Sequence, residues 1–512
     1  MSEKGSNRNL IILAMALGLL MASLDNTIVA SCINKISEDF NVFDKVSWVF
    51  TAYMLAATST MLVFGKMSDL FGRKLFYMIG IGMFLIGSAL CGVAQSADQL
   101  ILFRVIQGIG SGSLFPISFT IIYTIFNDPK DAAKMSGVFG AIFGLSSVAG
   151  PQLGSFIADH FGWRWNFYIN VPIGIASMLV LMFALKETRS EKRPKIDYLG
   201  TLFLIVTTVS LMLALEWGGK DYAWSSWQEI SLFAVSAIFG ALFIAVELRA
   251  SEPVLPLSIF KNRMVLGTSI ICFCQGVIMF SAITYLPSFT VGVLGHANSN
   301  GILTPMMASL IAGAIGFGFL QGKFAFRTLM LFTMVMTVLV ASLLATVGTD
   351  ASYGYMILLM ILLGFGAVGP LMSVAQSAIA ANVDPKYMGV SSSIVGFWRN
   401  IGGIMGASIM ATIVNNNLHR LITTGAADIG IPKDKIATLA NPELLMRAGG
   451  KLDPQIREFL QGALGTSINH GFILSICVGV IGLVTALFVG ASRLDVTAAK
   501  QREQGQPGAA HV

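Results

Sequence analysis

The chain has 512 residues, of which 55% are hydrophobic and 12% are charged, with a mean hydropathy of +0.74 and a net charge of +6. Soluble domains carry about 25% charged residues, so this composition excludes a cytosolic enzyme, a nucleic-acid-binding protein and a disordered chain. It predicts a polytopic protein of the lipid bilayer, in which the excess positive charge reflects the sidedness of the loops and the anionic lipid near them.

Apolar runs of about 20 residues, the length that crosses a bilayer, occur fourteen times along the chain. The first run is predicted to be a retained membrane span, because Asp25 and Asn26 within it argue against a cleaved signal peptide. The fourteen runs are centred near residues 20, 58, 85, 112, 146, 176, 207, 238, 275, 312, 338, 366, 401 and 480.

The loops between these runs differ in their content of lysine and arginine. Those on the side of the termini carry 21 basic residues, and the short loops on the other side carry 4. By the positive-inside rule, both termini are predicted to be cytoplasmic in a cell-membrane protein. A polar stretch at 415–467, interrupted by prolines, is too short for a domain with its own core and is predicted to be an extracellular flap.

Residues that hold metals, nucleotides or disulfides are not arranged in the usual patterns. The five cysteines lie in or beside apolar runs, and their spacing fits neither a disulfide framework nor a zinc site. No Gly-x-x-x-x-Gly-Lys-Ser/Thr run is present, and the glycine-rich 313–318 lies within an apolar run. We therefore expect no cofactor, no metal, no ATP and no nucleic acid, and a monomer. A non-transporting sensor or enzyme is disfavoured.

The chain contains a weak internal repeat. The glycine frame of Arg104–Gly112 in the fourth run returns in the twelfth, and Gly65–Lys74 after the second run has an echo after the tenth. The offset of eight runs predicts two six-helix bundles with two helices inserted between them. The predicted units are residues 1–197, 198–250 and 251–512.

Several motifs, in the expected order and spans, resemble those of the major facilitator superfamily, in particular its fourteen-span drug:proton antiporter branch. The resemblance covers nearly the whole chain. It implies a membrane fold of two six-helix bundles and proton-coupled export of lipophilic compounds. The motifs are Leu24-Asp25-Asn26-Thr27-Ile28-Val29, Gly65–Lys74, Arg104-x-x-Gln107-Gly108-x-Gly110, Gly150-Pro151-x-x-Gly154, Trp163–Gly174 and Arg399-Asn400-Ile401-Gly402-Gly403.

Asp25 is the most informative residue, because a carboxylate inside an apolar helix costs about 2.5–3.5 kcal/mol even on lenient insertion scales. It is predicted to be the proton-coupling site. The alternatives are a structural ion pair with Arg104 or Asn26, and a countercharge for a cationic cargo. The resemblance implies that Arg104 takes part in proton transfer, and Gln107, one helical turn along, is expected to share its hydrogen bonds.

Two further motifs are expected to control conformation. The loop after the second span is predicted to be a gate, in which Asp69 and the basic Arg73 and Lys74 form ion pairs while Gly65 and Gly72 allow a tight turn. In the fifth span, glycines spaced four apart present a smooth stripe for helix contact, and Pro151 kinks the helix between Gly150 and Gly154.

The remaining polar and aromatic residues inside spans are candidates for the lining of a substrate cavity. Arg399 is expected to bind an anionic or polar substrate group or to pair with a distant carboxylate, and the alternative is a purely structural role. Membrane-depth carboxylates other than Asp25 are absent from the sequence pattern, which lowers the expectation for dicationic drugs and admits a specific metabolite or a lipid-like cargo. The candidate lining residues are Asn26, Tyr53, Gln107, Gln275, Met279, Tyr285, Trp398 and Arg399.

Overall fold

The computed structural model describes sixteen α-helices, and its regular structure is helical throughout the described residues. These are 5–42, 45, 47–126, 128–187, 195–219, 221–295, 300–425 and 454–494. The helices are α1 Gly5–Phe40, α2 Trp48–Phe71, α3 Arg73–Val93, α4 Ala97–Ile125, α5 Pro129–His160, α6 Trp165–Tyr168, α7 Asn170–Ala184, α8 Tyr198–Trp217, α9 Trp227–Glu247, α10 Arg263–Ser288, α11 Asn300–Leu320, α12 Phe326–Leu344, α13 Tyr353–Leu362, α14 Gly369–Asn382, α15 Met388–Gly425 and α16 Pro454–Phe488.

Six of the described α-helices begin where a polar side chain accepts a hydrogen bond from the first turn, since the first backbone N–H groups of a helix have no partner within it. Ser96, for example, accepts from the Gln99 amide at the start of α4, and Asp197 accepts from the Gly200 amide at the start of α8. The same arrangement opens four more helices, through Asp128, Ser226, Asn262 and Ser352.

Thirteen helical stretches among the described residues are long and apolar enough to cross a membrane. Two of them are composite: α6 and α7 form one, and α13 and α14, joined by the π-helical turn Leu363–Val368, form another. The fourteenth predicted span is α15, which is longer than any of these but less apolar, because serines and Arg399 occupy its buried face. The all-helical membrane architecture predicted from the sequence is confirmed for the described residues.

Packing groups α1 to α7 in one bundle and α10 to α16 in another. The inserted helices α8 and α9 pack on each other, and α8 also contacts α2 and α15. The boundaries assigned to the three units remain a prediction.

The predicted loop 415–467 is wrong at both ends. Helix α15 continues to Gly425, and α16 begins at Pro454. Val414, Leu418 and Ile422 are fully buried at a spacing of four residues, so the polar residues among them belong to the exposed face of a helix and not to a loop. The rest of the predicted flap, 426–453, lies outside the described residues.

Candidate functional site

Asp25 lies in the interior of the first bundle and is completely buried. Its carboxylate forms an ion pair with the Arg104 guanidinium of α4. It also accepts hydrogen bonds from Gln107 Nε2 at 2.7 Å and from Asn170 Nδ2, at the start of α7, at 2.9 Å. Ser88 of α3 accepts from both amides and donates to a backbone carbonyl. Side chains of α4 and α7 thus bind the Asp25 carboxylate directly, and Ser88 of α3 supports their amides. The structural pairing with Arg104, one of the expected alternatives, neutralises the carboxylate charge.

Arg104 is also completely buried, and it is held on several sides. Its Nε donates to the Val49 carbonyl at 3.0 Å, and its Nη1 donates to Gln107 Oε1 at 2.8 Å. The Tyr53 ring covers the guanidinium, with 4.1 Å between the guanidinium carbon and the ring centroid. The Tyr53 hydroxyl donates to Ser111 at 2.6 Å. The predicted sharing of hydrogen bonds between Arg104 and Gln107 is present.

A cavity of about 670 Å³ lies between the two bundles. Its wall is mostly apolar and aromatic, and its polar groups are hydroxyls, amides and one guanidinium, as expected for a small-molecule site. Helices α1, α2, α4 and α5 supply one side, and α10, α11 and α15 supply the other. Its polar lining consists of Ser23, Asn26, Thr27, Tyr53, Ser111, Ser147, Gln152, Thr284, Thr304, Arg399 and Asn400.

The cavity adjoins the buried ion pair without including it. Asn26, the neighbour of Asp25, lines the cavity, and so does Tyr53, whose ring covers Arg104. Asp25 and Arg104 themselves do not line it. Tyr53 therefore contacts both the Arg104 side of the carboxylate network and the space where a cargo would bind.

Four of the eight predicted lining residues line this cavity, namely Asn26, Tyr53, Met279 and Arg399. The other four lie elsewhere, because their helix faces are turned into the protein. Gln107 belongs to the Asp25 network, Gln275 donates to the Val368 carbonyl at 2.8 Å, Trp398 packs on Phe273 and Phe397, and Tyr285 lies in the core of the second bundle.

Arg399 lines the cavity from the second bundle and is 7% exposed. Its Nη1 lies 2.9 Å from the Met372 sulfur, and its guanidinium carbon lies 5.1 Å from the Phe115 ring centroid. Among the described residues, no carboxylate forms an ion pair with it. The distant carboxylate partner that was one expectation for Arg399 is therefore absent from the described residues in this conformation.

A smaller cavity of about 270 Å³ lies beside the main one, between α2, α8, α10 and α15. Phe50, Met54 and Phe280 line both, so the two spaces share a wall. Glu216, near the end of α8, is an acidic residue on the lining of this side cavity. Helix α8, one of the two inserted helices, thus borders the side cavity.

The predicted gate loop joins the two bundles at one end of the molecule. Asp69, at the end of α2, accepts hydrogen bonds from the backbone amides of Gly389 and Val390, at 2.8 and 3.1 Å, in the first turn of α15. A carboxylate at a helix N-terminus is stabilised by the free amides and by the helix dipole. We call Asp69, Gly389 and Val390 the latch.

Glycines allow the latch to close. A methyl group at Gly65 would lie 2.6 Å from the Gly389 carbonyl oxygen, so α2 and α15 could not approach as they do with alanine there. Gly72 has φ of 116° in the turn between α2 and α3, a conformation that favours glycine.

The basic residues of the loop have different partners. Arg73 bonds to Thr124 and, at 3.4 Å, to the Pro385 carbonyl of the second bundle, and it lies 4.0 Å from Asp69. Lys74 donates to the Met182 carbonyl at 2.6 Å within the first bundle. Lys74 therefore does not bridge the bundles, and the role of the whole loop as a gate remains a prediction.

The glycine stripe of α5 has two different faces. Gly140 and Gly144 pack on α11 of the second bundle, where a Cβ at Gly144 would lie 2.7 Å from Ile311. Gly150 and Gly154 pack on α1, where a Cβ at Gly154 would lie 2.7 Å from the Ile28 carbonyl oxygen. Pro151, between them, faces the cavity.

The sequence motifs include Asn170 and Asn400 without a separate role for either, and Ser88 belongs to no motif. Asn170 and Ser88 both bind within the Asp25 network. Asn400 donates to Thr58 at 3.0 Å and joins the two bundles beside the cavity. Their common signal is an amide or hydroxyl inside an apolar run, which is frequent in membrane helices and weak by itself.

Comparison with known proteins assigns the family. Residues 15–407 match the family model for the Major Facilitator Superfamily. The chain belongs to this superfamily. It is 39% identical to "Multidrug resistance protein 3" of Bacillus subtilis (strain 168) over 507 residues, covering 97% of this chain and 98% of the relative. It is 33% identical to "Multidrug transporter protein MdtP" of the same strain over 537 residues, covering 100% of this chain and 99% of the relative.

Solved structures share the fold at low sequence identity. The proton:xylose symporter XylE superposes with a TM-score of 0.60 at 14% identity, covering 96% of this chain and 98% of the other. A bacterial homologue of the human lysosomal transporter Spinster, in an inward-facing and unoccupied conformation, gives 0.57 at 16% identity, covering 95% and 98%. These likenesses support the major facilitator fold.

Proposed function

We propose that the chain is a proton-coupled exporter of lipophilic compounds, a transporter and not an enzyme, that works by alternating access. The observation that carries the proposal is the large, mostly apolar cavity between the bundles, separated from a buried carboxylate by the side chain of Tyr53. The printed names of two relatives that span the whole chain refer to multidrug resistance and multidrug transport, which supports a varied lipophilic cargo.

Coupling in this proposal depends on the charge of Asp25. While Asp25 is ionised, it holds Arg104 and the two amides of the network. Protonation removes the ion pair, and breaking a buried pair leaves a buried charge uncompensated, which is costly. The network, and the Tyr53 ring that rests on it, must then rearrange. A proton bound on one side and released on the other thus changes the wall of the cargo cavity.

Alternating access in this proposal depends on the latch. We place the latch and both termini at the cytoplasmic face, where the loops are basic. With Asp69 bonded to the α15 amides, that face is closed and the cavity serves the opposite side. Breaking these bonds opens the cavity to the cytoplasm. One proton per cycle contributes about 2.3 kcal/mol per 100 mV of membrane potential, in addition to the pH gradient.

The test is transport of a dye panel by everted membrane vesicles that contain the chain, with and without an uncoupler. We expect uptake of several chemically different lipophilic dyes that the uncoupler abolishes. Dye uptake that is equal with and without the uncoupler would contradict proton coupling.

The second candidate is an exporter of one metabolite or one lipid-like compound. The guanidinium and amides on the cavity wall favour it, because such groups can recognise a particular polar group. Depletion of a single compound from cells that express the chain, with no effect on the dye panel, would select it.

A further inference from the structure

We propose that the cavity prefers lipophilic cargo that carries an oxyanion, a carboxylate or a phosphate, and that Arg399 binds that group. This inference rests on the proposed function, because it names the class of cargo that the exporter takes.

The charge of the cavity wall favours an anionic cargo. Among the described residues that line the main cavity, Arg399 is the only charged side chain, and the other polar groups are hydroxyls and amides. The site therefore presents one positive charge in mostly apolar surroundings. A cationic cargo would be repelled there, because charges interact strongly where water is excluded.

Arg399 has no countercharge among the described residues. Its recorded neighbours are the Met372 sulfur and the Phe115 and Phe143 rings, with ring centroids at 5.1 and 5.9 Å. A thioether is a weak acceptor, and ring faces stabilise a cation less than a carboxylate does. A buried cation without a strong acceptor is costly, so an oxyanion that enters the cavity offsets that cost.

Asp25 is the only completely buried acid near the cavity among the described residues. Asp25 lies behind the Tyr53 ring and is already paired with Arg104. It does not face the cargo space, so it offers no negative charge to a cationic cargo in this conformation. The two arginines thus have separate tasks: Arg104 holds Asp25, and Arg399 faces the cavity.

The geometry at Arg399 suits the binding of an oxyanion. The backbone of Arg399 is pressed against α10, where a Cβ at Gly276 would overlap the Arg399 carbonyl group. This contact fixes the origin of the side chain. A guanidinium offers a planar set of donors that suits the two oxygens of a carboxylate or phosphate. The amides of Asn26, Gln152 and Asn400, on the same wall, provide further hydrogen-bonding groups.

The test uses the purified full chain in lipid nanodiscs and measures binding of dansylaminoundecanoic acid and of its methyl ester by fluorescence. We expect wild type to bind the acid about tenfold more tightly or better, the size expected for a hydrogen bond to a charged group. Arg399→Gln should remove this preference and leave ester binding within about twofold. Arg420→Gln, at an exposed arginine of the same helix, is the matched control and should keep the preference.

Three results would overturn the proposal: equal binding of acid and ester by wild type, an unchanged preference in Arg399→Gln, or tighter binding of tetraphenylphosphonium than of the acid. If Arg399→Gln does not fold, Arg399→Lys replaces it. That variant keeps the charge but loses the planar donor set, so it should keep only part of the preference, and an undiminished preference would contradict the assigned role. Competition by decanoate or by a single-chain phosphate lipid supports an oxyanion site, and competition by neither opposes it.

Failure of this proposal is distinguishable from failure of the proposed function. Selective binding of the acid through Arg399, without uncoupler-sensitive transport of any dye by everted vesicles, would leave the oxyanion site and reject the exporter. Uncoupler-sensitive transport of the dye panel, without any preference for the acid, would leave the exporter and reject the oxyanion site.

Discussion

The two bundles repeat one helical frame but hold their buried arginines in opposite ways. In the first bundle, Arg104 is enclosed by Asp25, Gln107 and a backbone carbonyl, and it does not reach the cavity. In the second bundle, Arg399 faces the cavity and has a thioether and aromatic rings as neighbours. A closed, charge-balanced network suits a proton site, whereas an uncompensated cation on a cavity wall suits recognition of cargo.

This difference has a structural consequence for how the halves cooperate. In the first bundle, the Tyr53 ring covers Arg104 of the ionisable pair and also lines the cavity. A change in the protonation of Asp25 can therefore alter the cavity wall without direct contact between proton site and cargo. The comparison predicts that substitutions in the two bundles have distinct signatures, and the following substitutions test that.

The largest expected effect is that of Asp25→Asn, which removes the titratable group of the network. We expect loss of uncoupler-sensitive transport in everted vesicles, while the chain still inserts in the membrane. Asp159→Asn, at an exposed acid paired with Lys35, is the control and should transport like wild type. Full pH-dependent export by Asp25→Asn would refute the coupling role.

The next effect separates the two arginines by stability. Arg104→Gln leaves the Asp25 carboxylate buried without its cation, which should lower the free energy of unfolding by about 3–5 kcal/mol. Arg399→Gln removes a cation that has no anionic partner among the described residues, and it should be neutral or stabilising. Thermal unfolding of both variants, in the same detergent or lipid, checks the order. Equal destabilisation by the two substitutions would mean that Arg399 is as well compensated as Arg104.

Arg104 should also matter for the rate of transport. Arg104→Ala, with both charge and donors lost, should transport far more slowly than wild type. Combining Arg104→Gln with Asp25→Asn should restore much of the stability and none of the uncoupler-sensitive transport. Wild-type turnover of Arg104→Ala would assign that arginine to packing alone.

A smaller effect is expected at the latch. Asp69→Asn should weaken the two hydrogen bonds to the α15 amides, each worth about 1.5–3 kcal/mol when one partner is charged. A cysteine introduced at the buried Ser392 should then react faster with a water-soluble maleimide, because the latch end opens more often. Asp384→Asn, at an exposed acid next to the same helix start, should leave the reaction rate unchanged. An unchanged reaction rate in Asp69→Asn would contradict the gate.

The smallest effect is expected for Tyr53→Phe. The substitution removes the hydrogen bond to Ser111, worth about 0.5–1.5 kcal/mol, but it keeps the ring over Arg104. Transport should remain close to wild type, whereas Tyr53→Ala should lower the coupling of proton to dye movement. A loss in Tyr53→Phe as large as that in Tyr53→Ala would show that the hydroxyl, and not the ring, separates the two sites.

Much of the fold followed from the sequence, because the length and hydropathy of the spans depend on the bilayer alone. The helical ends around 415–467 did not, since polar residues on the exposed face of α15 obscured the buried spacing of Val414, Leu418 and Ile422. Asp25, Arg104 and Gln107 were recognisable as polar residues within apolar runs.

The sequence could not predict which side of each helix faces the cavity and which side packs on another helix. Gln275 and Trp398 are polar or aromatic residues of the right spans, yet Gln275 bonds to the Val368 carbonyl and the half-buried Trp398 packs on Phe397. Asn170 and Ser88 face Asp25 from other helices, and only packing brings them together. Helix rotation is set by neighbouring helices, so a single sequence shows which residues are candidates but not which of them meet.

The most direct test of the account is whether Asp25 exchanges a proton in the working protein. Infrared difference spectra of the reconstituted chain, recorded between acid and alkaline pH, should contain a protonated-carboxyl band that is absent from Asp25→Asn and that shifts when a transported dye is added. Identical spectra for wild type and Asp25→Asn across that pH range, with uncoupler-sensitive transport still present in wild type, would contradict it.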